Sequence, residues 1–87
     1  MTQNATSNAS RPPKEIWVLC KVPREEIFFM RYNLEAYEGV GIPTTLPGRE
    51  GLVKVITTEE QRKELEEILN SFADEISLEI IEWGSDG

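Results

Sequence analysis

The stretch "LVKVITTEEQRKELEEILNSFADEISLEIIEW", residues 52–83, decides the fold because its hydrophobic period changes twice. Residues 52–58 are rich in Val, Ile and Thr, which is typical of a strand. The middle of the stretch carries apolar side chains at helical spacing, and residues 77–83 alternate well enough between polar and apolar side chains to form a strand. The stretch therefore predicts a strand, a helix and a closing strand.

The predicted helix has a start signal and an apolar face. Capping-box patterns begin at Thr57 and at Thr58, and either would satisfy backbone N–H groups of the first helical turn. At about 100° per residue, one arc of the helix collects apolar side chains while nearly every charge falls on the other. The residues on the apolar arc are Leu65, Ile68, Leu69, Phe72, Ala73 and Ile76.

The N-terminal half of the chain supplies a second strand and helix. Residues 15–22, "EIWVLCKV", form a continuous apolar run that predicts a strand. Pro23 ends this run and suits the first turn of a helix, which we predict over residues 24–38, "REEIFFMRYNLEAYE". Gly39 and Gly41 follow and indicate the end of that helix.

Residues 42–46, "IPTTL", predict a short strand at a sheet edge, because Pro43 has no N–H to donate to a neighbouring strand. Residues 47–51 predict a turn that joins it to the strand at residues 52–58. The order strand, helix, strand, strand, helix, strand predicts an α+β, ferredoxin-like βαββαβ fold. Its four antiparallel strands form one sheet, with the first and third strands central and both helices on one face.

The predicted domain covers residues 15–83. Residues 1–14 contain no large apolar side chain after Met1, which predicts a disordered N-terminal tail. Residues 84–87 predict a flexible C-terminal tail for the same reason.

The composition argues against several classes of function. Sixteen acidic and nine basic residues give a net charge of -7, which disfavours contact with nucleic acid and with anionic membranes. One cysteine, Cys20, and no histidine leave no internal disulfide and no common zinc site. No apolar run reaches the roughly 18 residues of a membrane span, and no secretion signal is visible. We expect a cytoplasmic protein without a cofactor or metal.

No set of residues predicts catalysis. A phosphate-binding loop needs glycines between a strand and the following helix, whereas the glycines of Tyr37–Gly51 follow a helix or bracket a hairpin turn. Cys20 lies in an apolar strand with no base nearby in the sequence, which predicts a buried, inert thiol. Adjacent glutamates on the helices are explained by solvation and by the helix dipole. We expect a domain that is not an enzyme.

The strands carry more apolar side chains than a sheet covered on one side can bury. Residues 15–22 are apolar on both faces, and the third and fourth strands repeat this pattern. The residues predicted on the uncovered face are Trp17, Leu19, Leu52, Ile56, Ile81 and Trp83. Such an apolar surface predicts an interface, most simply with a second copy in a homodimer, or with another protein partner.

Three alternatives remain open for these apolar residues. The tails or residues 39–51 could fold over the uncovered face. The first helix also offers Phe28, Phe29 and Tyr32, some of which would pack on the second helix while the rest serve a partner. Trp17 could instead stack an RNA base, although the acidic charge of the chain disfavours this.

Residues 27–45, "IFFMRYNLEAYEGVGIPTT", and 48–69, "GREGLVKVITTEEQRKELEEIL", resemble a small bacterial domain family of unknown function. The cluster that carries the likeness is Leu34, Glu35, Tyr37, Gly39 and Thr45. The resemblance covers about residues 15–82 and implies no known activity.

The order of elements is also similar to that of ACT-type domains, which dimerise and sense small molecules. Those domains carry an aspartate and a proline-glycine step after the first strand, where this chain has Val22, Pro23 and Arg24. The proline matches, and the aspartate and glycine do not. As an alternative to self-assembly, the resemblance implies a small-molecule (amino acid) effector near Pro23, Arg24, Tyr37, Gly39 and Gly41.

Overall fold

The computed structural model describes residues 14–37, 39–48 and 51–85. The elements are β1 (Glu15–Lys21), α1 (Ile27–Glu35), β2 (Ile42–Thr45), β3 (Leu52–Thr58), α2 (Arg62–Ile76) and β4 (Glu79–Ser85). One turn of 3-10 helix precedes each α-helix, at Arg24–Glu26 and at Glu59–Gln61. Most of the predicted N-terminal tail (1–13), part of the predicted turn (49–50) and residues 86–87 lie outside the described residues.

The four strands form one antiparallel sheet in the order β2-β3-β1-β4. β1 and β3 are central, as predicted, and the proline-bearing β2 lies at an edge, where the missing N–H of Pro43 costs no ladder hydrogen bond. With both helices packed on one side, this is the predicted α+β, ferredoxin-like βαββαβ fold.

The hydrophobic core lies between the sheet and the two helices. Alternate residues of β1 and β3 point toward the helices, because successive side chains of a strand face opposite sides. The fully buried core residues are Val18, Cys20, Val22, Met30, Leu34, Val53, Val55, Leu65 and Leu69. Each buried aliphatic side chain stabilises the fold by about 1.5–3 kcal/mol. The intervening residues of both central strands consequently face away from the helices.

The apolar arc predicted for α2 is the face that packs on the core. Leu65, Leu69, Phe72 and Ile76 are among its buried residues, and Ala73 is partly buried. Among the described residues, neither helix has the length and hydrophobicity needed to cross a membrane.

The capping boxes predicted for α2 are wrong. Thr58 makes no side-chain hydrogen bond to the first turn, and the 3-10 turn intervenes before α2 begins. Thr57 points into the core instead, where its hydroxyl donates a 2.6 Å hydrogen bond to the backbone oxygen of Val40. Burial decides this, because an unpaired carbonyl in the core would be costly.

Helix α1 ends earlier than the sequence predicts. It stops at Glu35, and the N–H of Tyr37 donates to the carbonyl of Leu34 at 3.0 Å. The glycines therefore belong to the connection to β2. A Cβ on Gly41 would lie 2.8 Å from a methyl carbon of Val55, so the absent side chain permits close approach to β3.

Strand β4 contains a β-bulge that changes which residues face the helices. Leu19 pairs with Glu82 and Cys20 pairs with Ile80, so Ile81 is an extra residue without a partner on β1. Beyond the bulge Trp83 pairs with Val18 and therefore faces the helices.

Strand β4 continues through Ser85, whereas the closing strand was predicted to end at residue 83.

Candidate binding surface on the open face of the sheet

The open face is the side of the sheet that the helices leave uncovered, and an apolar row crosses it. Ile42 pairs with Ile56, Ile56 with Trp17, and Trp17 with Gly84, so these positions follow one another across β2, β3, β1 and β4. A Cβ on Gly84 would overlap the indole of Trp17, which shows that the ring covers the glycine. The row is therefore apolar from one edge of the sheet to the other.

The next row of the open face carries both signs of charge. Thr44 pairs with Lys54, Lys54 with Leu19, and Leu19 with Glu82. The Nζ of Lys54 lies 5.2 Å from the centre of the Trp17 ring, a cation–π contact that joins the two rows. A third row holds Leu52, Lys21 and Glu79. The centre of the open face is thus apolar and basic, and its β4 side is acidic.

Four of the six predicted interface residues lie on the open face. Trp17, Leu19, Leu52 and Ile56 are all half-buried there. Ile81 is at the bulge and is 47% exposed.

Trp83 lies on the helix-facing side, which differs from its predicted position on the uncovered face. The guanidinium of Arg62, on α2, lies 4.5 Å from the centre of the Trp83 ring. Strict alternation along β4 would place Ile80 and Trp83 on opposite faces, and the extra residue at Ile81 places both on the same face.

Sequence reasoning missed Ile42, which is 66% exposed on the open face. The sequence alone does not show this position, because the pairing of β2 with β3 decides it. Pro43 is opposite the core residue Val55, so the side chain before it must face the other way. Lys54 and Glu82 were also missed, because their relation appears only once the register of three strands is known.

The described residues 39–48 do not cover the open face. Within this segment Ile42–Thr45 form β2, which lies beside β3 in the sheet. Of the aromatic residues on α1, Phe29 packs edge-on against Phe72 of α2, with ring centres 6.1 Å apart. Phe28 and Tyr32 stack with ring centres 6.2 Å apart and are 79% and 69% exposed. They form a second exposed apolar surface, on the helix side.

The residues predicted for a small-molecule site are divided between two cavities. Pro23 and Arg24 line a cavity of about 340 Å³ after the C-terminal end of β1. Gly39 and Gly41 line another of about 330 Å³, which also includes Glu15 at the N-terminal end of β1. Tyr37 lines neither cavity. A single chain therefore does not bring these residues together.

The thiol of Cys20 is fully buried, and desolvation raises its pKa to about 12. It therefore stays protonated at neutral pH and is a poor nucleophile. In the part of the chain that the structure describes, no three Asp, Glu, Cys or His side chains come together as metal ligands would.

Comparison with known proteins gives a family without a described activity. No curated protein and no solved structure matched the chain. The family described as "Domain of unknown function (DUF4911)" matches residues 20–76, which run from Cys20 in β1 to the end of α2 and make up more than half of the chain. The similarity to ACT-type domains stays a prediction. The chain belongs to the DUF4911 family.

Proposed function

We propose that this domain is a non-enzymatic assembly module that binds a second copy of itself through the open face. The observation that carries the proposal is the apolar row of Ile42, Ile56 and Trp17, which crosses all four strands because the indole covers Gly84. Exposed apolar surface that is contiguous across a sheet usually marks an interaction site.

The size of the face sets the expected strength of the dimer. Three strands of seven residues, each about 23 Å long, and the four-residue β2 lie about 4.8 Å apart and together project on the order of 400 Å². The side chains that project from the sheet raise the accessible area to about 600 Å² per partner. This area is near the low end for protein interfaces. We therefore expect a reversible dimer with a dissociation constant in the micromolar range.

Light scattering over a concentration series tests the proposal. Ile42→Lys places a charge in the row, at an exposed edge position where the monomer should still fold, and we expect it to abolish the dimer. Phe28→Lys is the matched control, because Phe28 is also an exposed apolar residue but lies on α1.

A wild-type chain that stays monomeric up to about 200 micromolar would overturn the proposal, since an interface of this size should saturate there. A dimer that is lost in Phe28→Lys and kept in Ile42→Lys would move the interface to the aromatic pair on α1.

A second candidate function is recognition of a free amino acid. The cavity lined by Pro23 and Arg24 also includes Lys21 and Glu79, so it offers cations for a carboxylate and a carboxylate for an ammonium group. At about 340 Å³ it is at the small end of ligand cavities.

A thermal-shift screen with the common amino acids tests this candidate. A ligand at about 100 times its dissociation constant should add about 2.7 kcal/mol to the free energy of unfolding. Arg24→Gln should remove the shift, and the absence of any shift in the wild-type chain would eliminate the candidate.

A further inference from the structure

We infer that the second copy binds about a two-fold axis parallel to the strands, with Lys54 of each copy contacting Glu82 of the other. This inference rests on the proposed function. It adds the orientation of the dimer and the residues that select it.

The two charges flank Leu19 symmetrically on the open face. Lys54 pairs with Leu19 from β3, and Glu82 pairs with Leu19 from β4. Two strand spacings, about 9.6 Å in all, separate their backbones, with the leucine side chain between them. The ammonium group of Lys54 packs over Trp17, and within the described ranges neither Lys54 nor Glu82 forms an ion pair. Both charges are available to a partner.

A two-fold axis parallel to the strands pairs these charges twice. Rotation about it reverses the order β2-β3-β1-β4, so that β4 of one copy lies over β2 and β3 of the other. With sheets about 10 Å apart, the side chains of Lys54 and Glu82 are long enough to meet between them. The same rotation sets Ile42 of one copy against the indole of Trp17 of the other.

The other simple face-to-face arrangement is less favourable. A two-fold axis perpendicular to the strands places β4 of one copy over β4 of the other. Glu79 and Glu82 of both copies would then gather four carboxylates in one interface, and like charges placed opposite each other are destabilising. The acidic residues on β4 therefore select the parallel axis.

The reciprocal contact is tested by exchanging charges. Lys54→Glu brings two glutamates together at each contact, and Glu82→Lys brings two lysines together. We expect each variant alone to raise the dissociation constant of the homodimer at least about tenfold. An equimolar mixture of the two variants should form a heterodimer, because one chain then carries only glutamates and the other only lysines at these positions.

Two further variants complete the experiment. The double variant K54E/E82K restores opposite charges at both contacts and should dimerise like the wild-type chain. Lys63→Glu makes the same charge change on the exposed surface of α2, outside the open face, and should retain the homodimer. Circular dichroism of each variant shows whether the monomer is folded, and the double variant and the mixture each provide a rescue that misfolding would not produce.

The outcomes separate this inference from the proposed function. A monomeric wild-type chain overturns both. A wild-type dimer whose single variants still dimerise overturns the Lys54–Glu82 contact and leaves the open face as the interface. If the single variants are folded monomers and their mixture forms no heterodimer, Lys54 and Glu82 do not meet across a two-fold axis.

Discussion

At the residue scale, Trp17 and Gly84 act as one unit on the open face. A Cβ at position 84 would overlap the indole, so Gly84→Ala should force the ring away from β4. Overpacking of this kind costs about 1–3 kcal/mol. We expect a lower melting temperature for Gly84→Ala and changed Trp17 fluorescence.

A double-mutant cycle separates the overlap from an intrinsic effect of alanine in β4. Trp17→Val removes the ring, so adding Gly84→Ala to that variant should cost much less than in the wild-type chain. Equal costs in the two backgrounds would show that the ring and the glycine do not interact.

The buried thiol of Cys20 makes the free energy of unfolding depend on pH. Burial raises the pKa of its thiol from 9.0 to about 12, so the native chain keeps a proton that the unfolded chain releases. Stability from this group is complete below about pH 9 and falls as the pH rises toward about 12. In that window the wild-type chain should lose about 1.4 kcal/mol per pH unit more than Cys20→Ala. Urea denaturation at about pH 8 and about pH 10.5 measures both slopes, and identical slopes would contradict the prediction.

At the scale of elements, Thr57 fastens the connection between α1 and β2 to β3. Its hydroxyl donates to the carbonyl of Val40 across 17 positions of sequence, inside the core. Thr57→Val keeps the shape of the side chain and leaves this carbonyl without its partner, at a cost of about 1–3 kcal/mol. Thr58→Val is the matched control and should cost little, because Thr58 makes no cap hydrogen bond. If Thr58→Val is the more damaging change in a thermal melt, the capping box forms after all.

What the sequence could predict differed from element to element. β3 and the apolar face of α2 were predicted correctly, because their periodicity is local and extends over many residues. The bulge in β4 could not be predicted, because Ile81 becomes an extra residue only through the pairing with β1. The predicted position of Trp83 was wrong for the same reason, because one inserted residue exchanges the two faces of a strand. Local patterns therefore predicted that the sheet has an apolar open face. The pairing between strands determines which residues of β4 lie on it.

At the scale of the whole molecule, dimerisation must bring two chains of net charge -7 together. With charge centres about 25 Å apart, the Coulomb repulsion in water is about 8 kcal/mol before screening. The Debye length is about 30 Å in 0.01 M salt and about 10 Å in 0.1 M salt, so the repulsion falls to about 3.5 and then to about 0.7 kcal/mol. Each Lys54–Glu82 contact contributes at most about 1 kcal/mol where solvent reaches it, and salt weakens it by less than that. The repulsion therefore dominates the salt dependence.

We expect the dissociation constant of the dimer to fall about 10- to 100-fold between 0.01 M and 0.1 M sodium chloride, because screening removes about 3 kcal/mol of repulsion and the weakened ion pairs offset part of this gain. Analytical ultracentrifugation at neutral pH measures this change. Glu66→Lys, on the exposed surface of α2, reduces the net charge without altering the open face, so its dimer should depend less on salt. A wild-type dimer that weakens as salt is added would show that direct ion pairs outweigh the net charge. The apolar row would then contribute less to the dimer than its continuity across four strands indicates.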